Sequence, residues 1–308
     1  MIPRDQQERC RALVSEAAAG LLDPQGRDLA SRVQWWSLAG LPGEWPVAVL
    51  GEGPPLLLLH GFDSSFLEFR RLAPRLAASH RLYIPDLHGF GFTLRPAAGP
   101  YGPGPVLDHL ERLLAAIEER HGGGGDKRGG SEGGVGLIGA SMGGAVAVEL
   151  ARRRPRSINR LLLLAPAGLT GRPMPLPPLL DGLGVRFLAL PGVRRGLCRS
   201  AFADPDSDVG PAELEIASLH LQVPRWAEAL AAFARSGGFA GCGAPLPPQP
   251  LEVLWGAQDR ILRLPQKRAA LELLGERVRE LQNCGHLPHI DQPHAVAATW
   301  LRQPAAPS

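Results

Sequence analysis

Short apolar runs without polar alternation recur along this chain, and they constrain its fold more than any other feature. The clearest runs are Leu56–Leu59, Leu82–Pro85, Val135–Ile138, Leu161–Leu164, Leu251–Trp255 and Arg277–Leu281. Strands of this kind are buried on both faces, which is typical of a parallel sheet covered by helices. Two more strands are predicted before them, at Arg32–Leu38 and Trp45–Leu50, with Pro42-Gly43 as the turn between them.

Helical patterns separate most of these strands and predict an α/β fold, with helices flanking a mostly parallel central sheet. The patterns cover residues 66–78, 105–120, 143–154, 265–275 and 293–302. The alternation breaks once, after Leu164, where a Pro-rich segment at 173–180 leads into helical patterns at 181–202 and 211–235. We therefore predict an inserted helical cap. The predicted divisions are an N-terminal helical segment (1–31), core (32–167), cap (168–248) and core (249–308).

Composition limits the class of protein. The chain has 308 residues, of which 44% are hydrophobic, and this fraction is ample for a large core. A net charge of +3 argues neither for nor against nucleic acid, and we predict no nucleic-acid partner. No C-x-x-C pair, leader-like stretch or membrane-length apolar run is found, so we expect reduced cysteines and a cytoplasmic protein without stable membrane insertion. The oligomeric state stays open.

A G-x-S-x-G pattern occurs twice, and the surroundings distinguish the two serines. Ser141 follows the apolar run Val135–Ile138 and precedes a helical pattern, so it lies at a predicted strand-turn-helix elbow. Ser131 lies in the Gly-rich stretch 121–134, which we interpret as a flexible loop without a preceding strand. The spacing of Gly134, Gly136 and Gly139 imitates a dinucleotide fingerprint, but these glycines lie largely within the strand rather than after it.

Residue types suited to chemistry follow several of the predicted strands. In chain order, the strand ends carry His60-Gly61-Phe62, Ser141, Asp259 and His286. The carboxyl ends of parallel strands meet at one edge of the sheet, so we expect these residues to lie together. Asp291 is a rival acid, which we interpret as a helix cap before Pro293. The histidines lack ligand spacing such as H-E-x-x-H, so we predict no metal site.

Together these motifs resemble the α/β-hydrolase superfamily, in particular its capped, esterase-like members. The matching segments are Leu59–Phe62, Asp86–Gly91, Gly139–Gly144, Trp255–Asp259 and Gly285–His289. They follow the family's order across residues 32–302. The motifs are jointly specific for the fold and the triad, but they do not specify a substrate.

The resemblance implies a role for each member of the predicted triad. Ser141 would be the nucleophile, His286 its base and Asp259 the acid that orients the base. Some members carry the acid one strand earlier, but residues 165–168 offer no carboxylate there, which favours Asp259. Haloalkane dehalogenases and related epoxide hydrolases have Asp at the elbow, and Ser141 argues against both.

The resemblance also implies the groups around the nucleophile. The backbone N–H groups of Phe62 and Met142 would form an oxyanion hole, and His60 and Gly61 would support its loop. The residues predicted to line a substrate pocket are Phe90, Phe92 and Leu287.

The predicted function is a serine carboxylesterase that acts on an apolar, small-to-medium ester without a cofactor. The Pro- and Leu-rich cap suggests an apolar pocket. A C–C bond hydrolase, thioesterase, lipase or peptidase would use the same triad and remains an alternative. A non-catalytic or slow-turnover ligand-binding member of the fold is the alternative from a different class.

Overall fold

The computed structural model describes residues 4–122, 134–172 and 184–302. Two of the predicted segments, residues 123–133 of the Gly-rich loop with Ser131 and the Pro-rich segment 173–180, lie outside the described residues. The predictions made for these two segments therefore stay predictions.

Within the described residues, eight strands form a single sheet in the order β1-β2-β4-β3-β5-β6-β7-β8. They are β1 (Val33–Ser37), β2 (Glu44–Leu50), β3 (Pro55–Leu59), β4 (Arg81–Pro85), β5 (Val135–Ala140), β6 (Ile158–Leu164), β7 (Leu251–Gly256) and β8 (Val278–Leu281). β2 runs antiparallel to both β1 and β4, and all other neighbours are parallel. The prediction of a mostly parallel α/β sheet is confirmed.

Helices connect and cover the strands. They are α1 (Arg4–Gly20), α2 (Pro24–Ser31), α3 (Ala73–Leu76), α4 (Pro103–Gly122), α5 (Met142–Arg153), α6 (Pro191–Ala201), α7 (Pro205–Asp208), α8 (Pro211–Leu219), α9 (Trp226–Arg235), α10 (Leu264–Leu274), α11 (Pro288–Asp291) and α12 (Pro293–Leu301). Short 3₁₀ helices lie at Phe66–Phe69, His220–Gln222 and Gly275–Arg277. Between β6 and β7 the chain forms a helical turn at 184–188 and helices α6 to α9, within the stretch that the sequence predicts to be the cap. We refer to these described residues, 184–235, as the cap.

The core has two layers, one on each face of the sheet. Successive residues of β3 alternate between them, with Leu57 and Leu59 in one apolar cluster and Leu56 and Leu58 in the other. All four side chains are fully buried. Because neither face of this strand meets water, its sequence is a continuous apolar run.

The last predicted strand, β8, departs from this pattern. The apolar-run interpretation predicts burial on both faces, but the two central residues, Arg279 and Glu280, are exposed. β8 is the edge strand and pairs only with β7, so its side chains are covered less than those of the central strands. The prediction of a fully buried strand is wrong here, although the strand itself forms.

Candidate active site

Ser141 lies in a sharp turn between β5 and α5, with φ 51° and ψ −120°, a conformation that L-residues rarely adopt. The neighbouring glycines allow the main chain to pack closely. A Cβ on Gly139 would lie 2.3 Å from the Gly143 carbonyl oxygen, and one on Gly143 would lie 2.1 Å from the Leu59 carbonyl oxygen. The turn therefore needs glycine on both sides of the serine and brings Ser141 beside the end of β3.

We expect Gly143→Ala to lower the free energy of unfolding by about 3 kcal/mol or more, because its Cβ would collide with main chain that cannot rotate away. Gly196→Ala is the matched control, since no atom lies within 4 Å of a Cβ at this position in α6. The control should be neutral or stabilise by up to about 1 kcal/mol. Urea unfolding followed by circular dichroism measures both variants, and equal stability of the two would contradict the packing at the elbow.

The structure joins Ser141, His286 and Asp259 in one series of hydrogen bonds. Ser141 Oγ lies 2.9 Å from His286 Nε2, and His286 Nδ1 lies 2.9 Å from Asp259 Oδ2. In the tautomer that donates from Nδ1, the free Nε2 lone pair faces the serine hydroxyl and can accept its proton. The three side chains come from the ends of β5, β7 and β8, as the strand-end argument predicts.

Asp259 is held in place by four donors. Its Oδ2 accepts hydrogen bonds from His286 and from Trp255 Nε1 at 3.0 Å, and its Oδ1 accepts the N–H groups of Ile261 at 2.9 Å and Leu262 at 3.3 Å. Burial by itself would raise the pKa of this carboxyl, but the hydrogen bonds, foremost that from His286, lower the pKa below its ordinary value. Asp259 is therefore a carboxylate with a fixed orientation toward the imidazole.

Asp291 has a different position from that of a triad acid. Its Oδ2 accepts the N–H of Gly285 at 2.6 Å and that of Ala203 at 3.1 Å, so it joins the loop before His286 to the end of the cap helix α6. The interpretation of Asp291 as a helix cap is wrong, because it ends α11 and Gln292 stands before α12. Its carboxylate anchors the loop rather than the ring of His286.

The residues predicted to form the oxyanion hole, Phe62 and Met142, directly follow Gly61 and Ser141 in the chain. Met142 begins α5, where the helix dipole favours negative charge. Gly61 lies against the serine, since a Cβ at Gly61 would be 3.2 Å from Ser141 Cβ. Within the described residues, neither the Phe62 nor the Met142 N–H donates a hydrogen bond. Neither N–H group is therefore occupied by another acceptor among these residues.

The loop that carries Phe62 is supported by His60. The fully buried ring donates from Nδ1 to the Gly61 carbonyl oxygen at 2.8 Å and accepts the Leu87 N–H at Nε2, at 2.9 Å. Burial lowers the pKa of His60, which favours the neutral ring that this pattern requires. His60 thus ties the end of β3 to the loop after β4.

A cavity of about 350 Å³ lies beneath the cap and opens onto Ser141 and His286. Its apolar walls come from both the cap and the core, and they include Leu188, Leu197, Phe202, Ile216, Leu287 and Ile290. Leu287 therefore lines the cavity, as predicted from the sequence.

The prediction that Phe90 and Phe92 line the pocket is wrong. Phe92 is fully buried and packs on Phe66, and Phe90 is 2% exposed and packs on Phe62 and Phe233. Neither ring lines the cavity. They belong to the core on either side of the sheet, because the loop after β4 turns them inward.

Charged residues also line the cavity, and the sequence gives no local sign of them. Arg70 Nε donates to Asp23 at 2.6 Å, and its Nη2 donates to Glu213. Arg194 Nη1 donates to Asp63 at 2.6 Å. Both arginines of the described cavity wall are thus paired with carboxylates. These pairs join residues far apart in the chain, so a motif search has no short pattern to detect.

The described parts of the chain contain neither a candidate metal site nor a membrane-spanning helix. No group of three or more His, Cys, Asp or Glu side chains there could hold a metal ion. No helix in the same ranges is long and apolar enough to cross a membrane. The four cysteines are free thiols.

A parallel sheet with serine, histidine and aspartate joined by hydrogen bonds at its strand ends defines the class of α/β hydrolases. A model of the alpha/beta hydrolase family matches residues 56–299, which is most of the chain. The chain therefore belongs to the alpha/beta hydrolase family.

Known proteins agree with this assignment but differ in their substrates. 2-Hydroxymuconate semialdehyde hydrolase of Pseudomonas sp. (strain CF600) is 29% identical over 263 residues, 78% of this chain and 83% of that protein. Lipase 1 of Psychrobacter immobilis is 34% identical over 123 residues, 40% of this chain and 35% of the lipase. The structure of 2-hydroxy-6-oxo-6-phenylhexa-2,4-dienoate hydrolase from Rhodococcus sp. strain RHA1 superposes with a TM-score of 0.69 at 21% identity, covering 87% of this chain and 97% of that one.

Proposed function

We propose that this protein is a serine hydrolase that cleaves neutral, apolar, small-to-medium carboxylic esters. The observation that carries the proposal is the unbroken hydrogen-bond series from Ser141 through His286 to Asp259 at the floor of an apolar cavity. A serine hydroxyl becomes a useful nucleophile only when a base takes its proton, and this geometry supplies the base.

The proposed mechanism has two acyl-transfer steps. His286 takes the proton of Ser141 as Oγ attacks the ester carbonyl, and the Phe62 and Met142 N–H groups stabilise the resulting oxyanion. The protonated His286 gives its proton to the leaving alcohol, which leaves an acyl-enzyme. Water then attacks the acyl group with His286 again acting as base, and Ser141 is released.

The cavity supports a neutral substrate of limited size. Its volume of about 350 Å³ lies at the lower end of the range of about 300–1,000 Å³ for small-molecule pockets. Because Arg70 and Arg194 are each paired with a carboxylate, their charges are already balanced within the protein, which supports a neutral substrate.

A C–C bond hydrolase acting on an oxo-acid is the second candidate. The similarity to 2-hydroxymuconate semialdehyde hydrolase favours it, since that similarity covers most of both chains. The paired arginines favour the ester instead, because an unpaired cation is what best offsets the charge of a dienoate carboxylate. Thioesters and longer lipid esters use the same acyl-enzyme chemistry and belong in the same substrate panel.

A labelling and turnover experiment tests the proposal. We expect a fluorophosphonate probe to label Ser141, and neutral esters with short and medium acyl chains to be hydrolysed faster than long-chain esters, thioesters and 6-oxo-dienoates. Failure of folded protein to react with the probe would favour a ligand-binding member of the fold. Faster turnover of the anionic dienoates would favour the C–C hydrolase.

A further inference from the structure

Asp63, the residue after Phe62, is held by the cap although it belongs to the core. Its backbone is left-handed, with φ 50°, and its side chain is 8% exposed. Oδ2 accepts Arg194 Nη1 at 2.6 Å, and Oδ1 accepts Trp226 Nε1 at 2.7 Å and lies 3.1 Å from His220 Nε2. Three cap donors thus converge on one carboxylate.

The three donors come from three separate pieces of the cap. Arg194 lies in α6, His220 begins the 3₁₀ helix after α8, and Trp226 begins α9. His220 and Trp226 are buried, and Arg194 also donates to the Ala217 carbonyl oxygen. The place of the Asp63 carboxylate is therefore set by the packed cap as a whole.

The residue before Phe62, Gly61, is held by the core. Glu68 Oε1 accepts the N–H of Gly61 at 3.1 Å, and Glu68 is itself buried beside His289. The Phe62 N–H thus lies between Gly61, which is anchored to the core, and Asp63, which is anchored to the cap. Asp is among the few residues other than glycine that adopt a left-handed backbone readily, which suits this position.

We propose that Asp63 is a positioning residue through which the cap holds the Phe62 N–H in its oxyanion-binding orientation. This inference rests on the proposed serine-hydrolase function. An oxyanion donor acts chiefly in the transition state, and a displacement of about 1 Å in such a group can cost about 100-fold in rate. The packing of the cap and the geometry of the oxyanion hole are then coupled through one carboxylate.

A residue that only keeps the cap attached to the core would behave differently from a positioning residue. If Asp63 only keeps the cap attached, its loss opens the cavity and weakens substrate binding, so KM rises. If it positions Phe62, kcat falls while KM changes little. The affinity for a boronic acid also distinguishes the two roles, because its tetrahedral adduct with serine places an oxygen in the oxyanion hole.

The test compares Asp63→Asn with Asp206→Asn, which removes the exposed cap ion pair with Arg199. For Asp63→Asn we expect kcat on the best neutral ester to fall about 10- to 100-fold, KM to stay within about threefold, and boronic-acid affinity to fall as much as kcat. Asp206→Asn should keep wild-type values. A raised KM with unchanged kcat, or no change in either constant, would overturn the inference.

A second variant decides the question if Asp63→Asn does not fold. Trp226→Phe removes one donor to Asp63 and keeps an aromatic ring in the cap, and we expect kcat to fall about 3- to 10-fold at constant KM. Wild-type kcat in a folded Trp226→Phe protein would then overturn the inference. Neither result touches the proposed function, which is tested separately by the labelling of wild-type protein at Ser141 and by its turnover of neutral esters.

Discussion

Ser141→Ala is expected to lower kcat by roughly 10⁴- to 10⁶-fold, because it removes the only atom of the triad that bonds to the acyl group. The protein should still fold, since Ser141 is partly exposed to the cavity and its Oγ bonds only to His286 in the described structure. Turnover of a neutral ester measures the loss, and mass spectrometry of the fluorophosphonate-treated protein shows whether labelling disappears.

Ser200→Ala is the control for this experiment. Its hydroxyl donates to the Gly196 carbonyl oxygen within the cap helix α6 and makes no hydrogen bond to a triad side chain among the described residues. This variant should keep both labelling and turnover within about twofold of wild type. Substantial turnover by Ser141→Ala would show that another group attacks the substrate and that the assigned nucleophile is wrong.

Asp259→Asn is expected to lower kcat by about 10⁴-fold at neutral pH, as for other triads whose acid becomes an amide. Both oxygens of Asp259 accept hydrogen bonds from N–H donors. An amide must turn its NH₂ group toward one set of these donors, so it either loses the backbone contacts or favours the wrong tautomer of His286. The measurement is kcat across the pH range, with thermal unfolding as the check on folding.

Asp291→Asn is the matched comparison, because it changes the rival acid in the same way. Asp291 Oδ1 has no partner among the described residues, so the NH₂ group can occupy that side while the oxygen keeps the bonds from Gly285 and Ala203. We expect kcat to fall by less than about tenfold. A larger loss here than in Asp259→Asn would reassign the triad acid.

The sheet was predictable because burial leaves a local mark on the sequence. A strand such as β3 contacts apolar side chains on both faces, so its own residues must be apolar. The exposure of β8 was not predictable in this way, since an edge position depends on which strand has no further neighbour. Strand order follows from the packing of the whole chain, and a run of residues does not encode it locally.

The triad residues were predictable because each follows a strand. The parallel arrangement then brings Ser141, Asp259 and His286 together at one edge, although they are far apart in sequence. Phe90 and Phe92 also follow a strand, and there the argument gave the wrong result. The loop that carries Phe92 folds inward around buried Asp86, whose Oδ2 accepts the Phe92 N–H at 2.7 Å.

The sheet-forming runs, the glycine turn around Ser141 and the residue types at the strand ends follow from the sequence, because each depends on neighbours close in the chain. The charges that line the cavity and the contacts that hold the loop of Phe62 are visible only in the folded protein. Asp63 contacts Arg194, His220 and Trp226 across the whole cap, and each pair forms only once the cap has folded over the sheet. Long-range pairs of this kind stabilise buried charge through mutual contact, so no single segment reveals them.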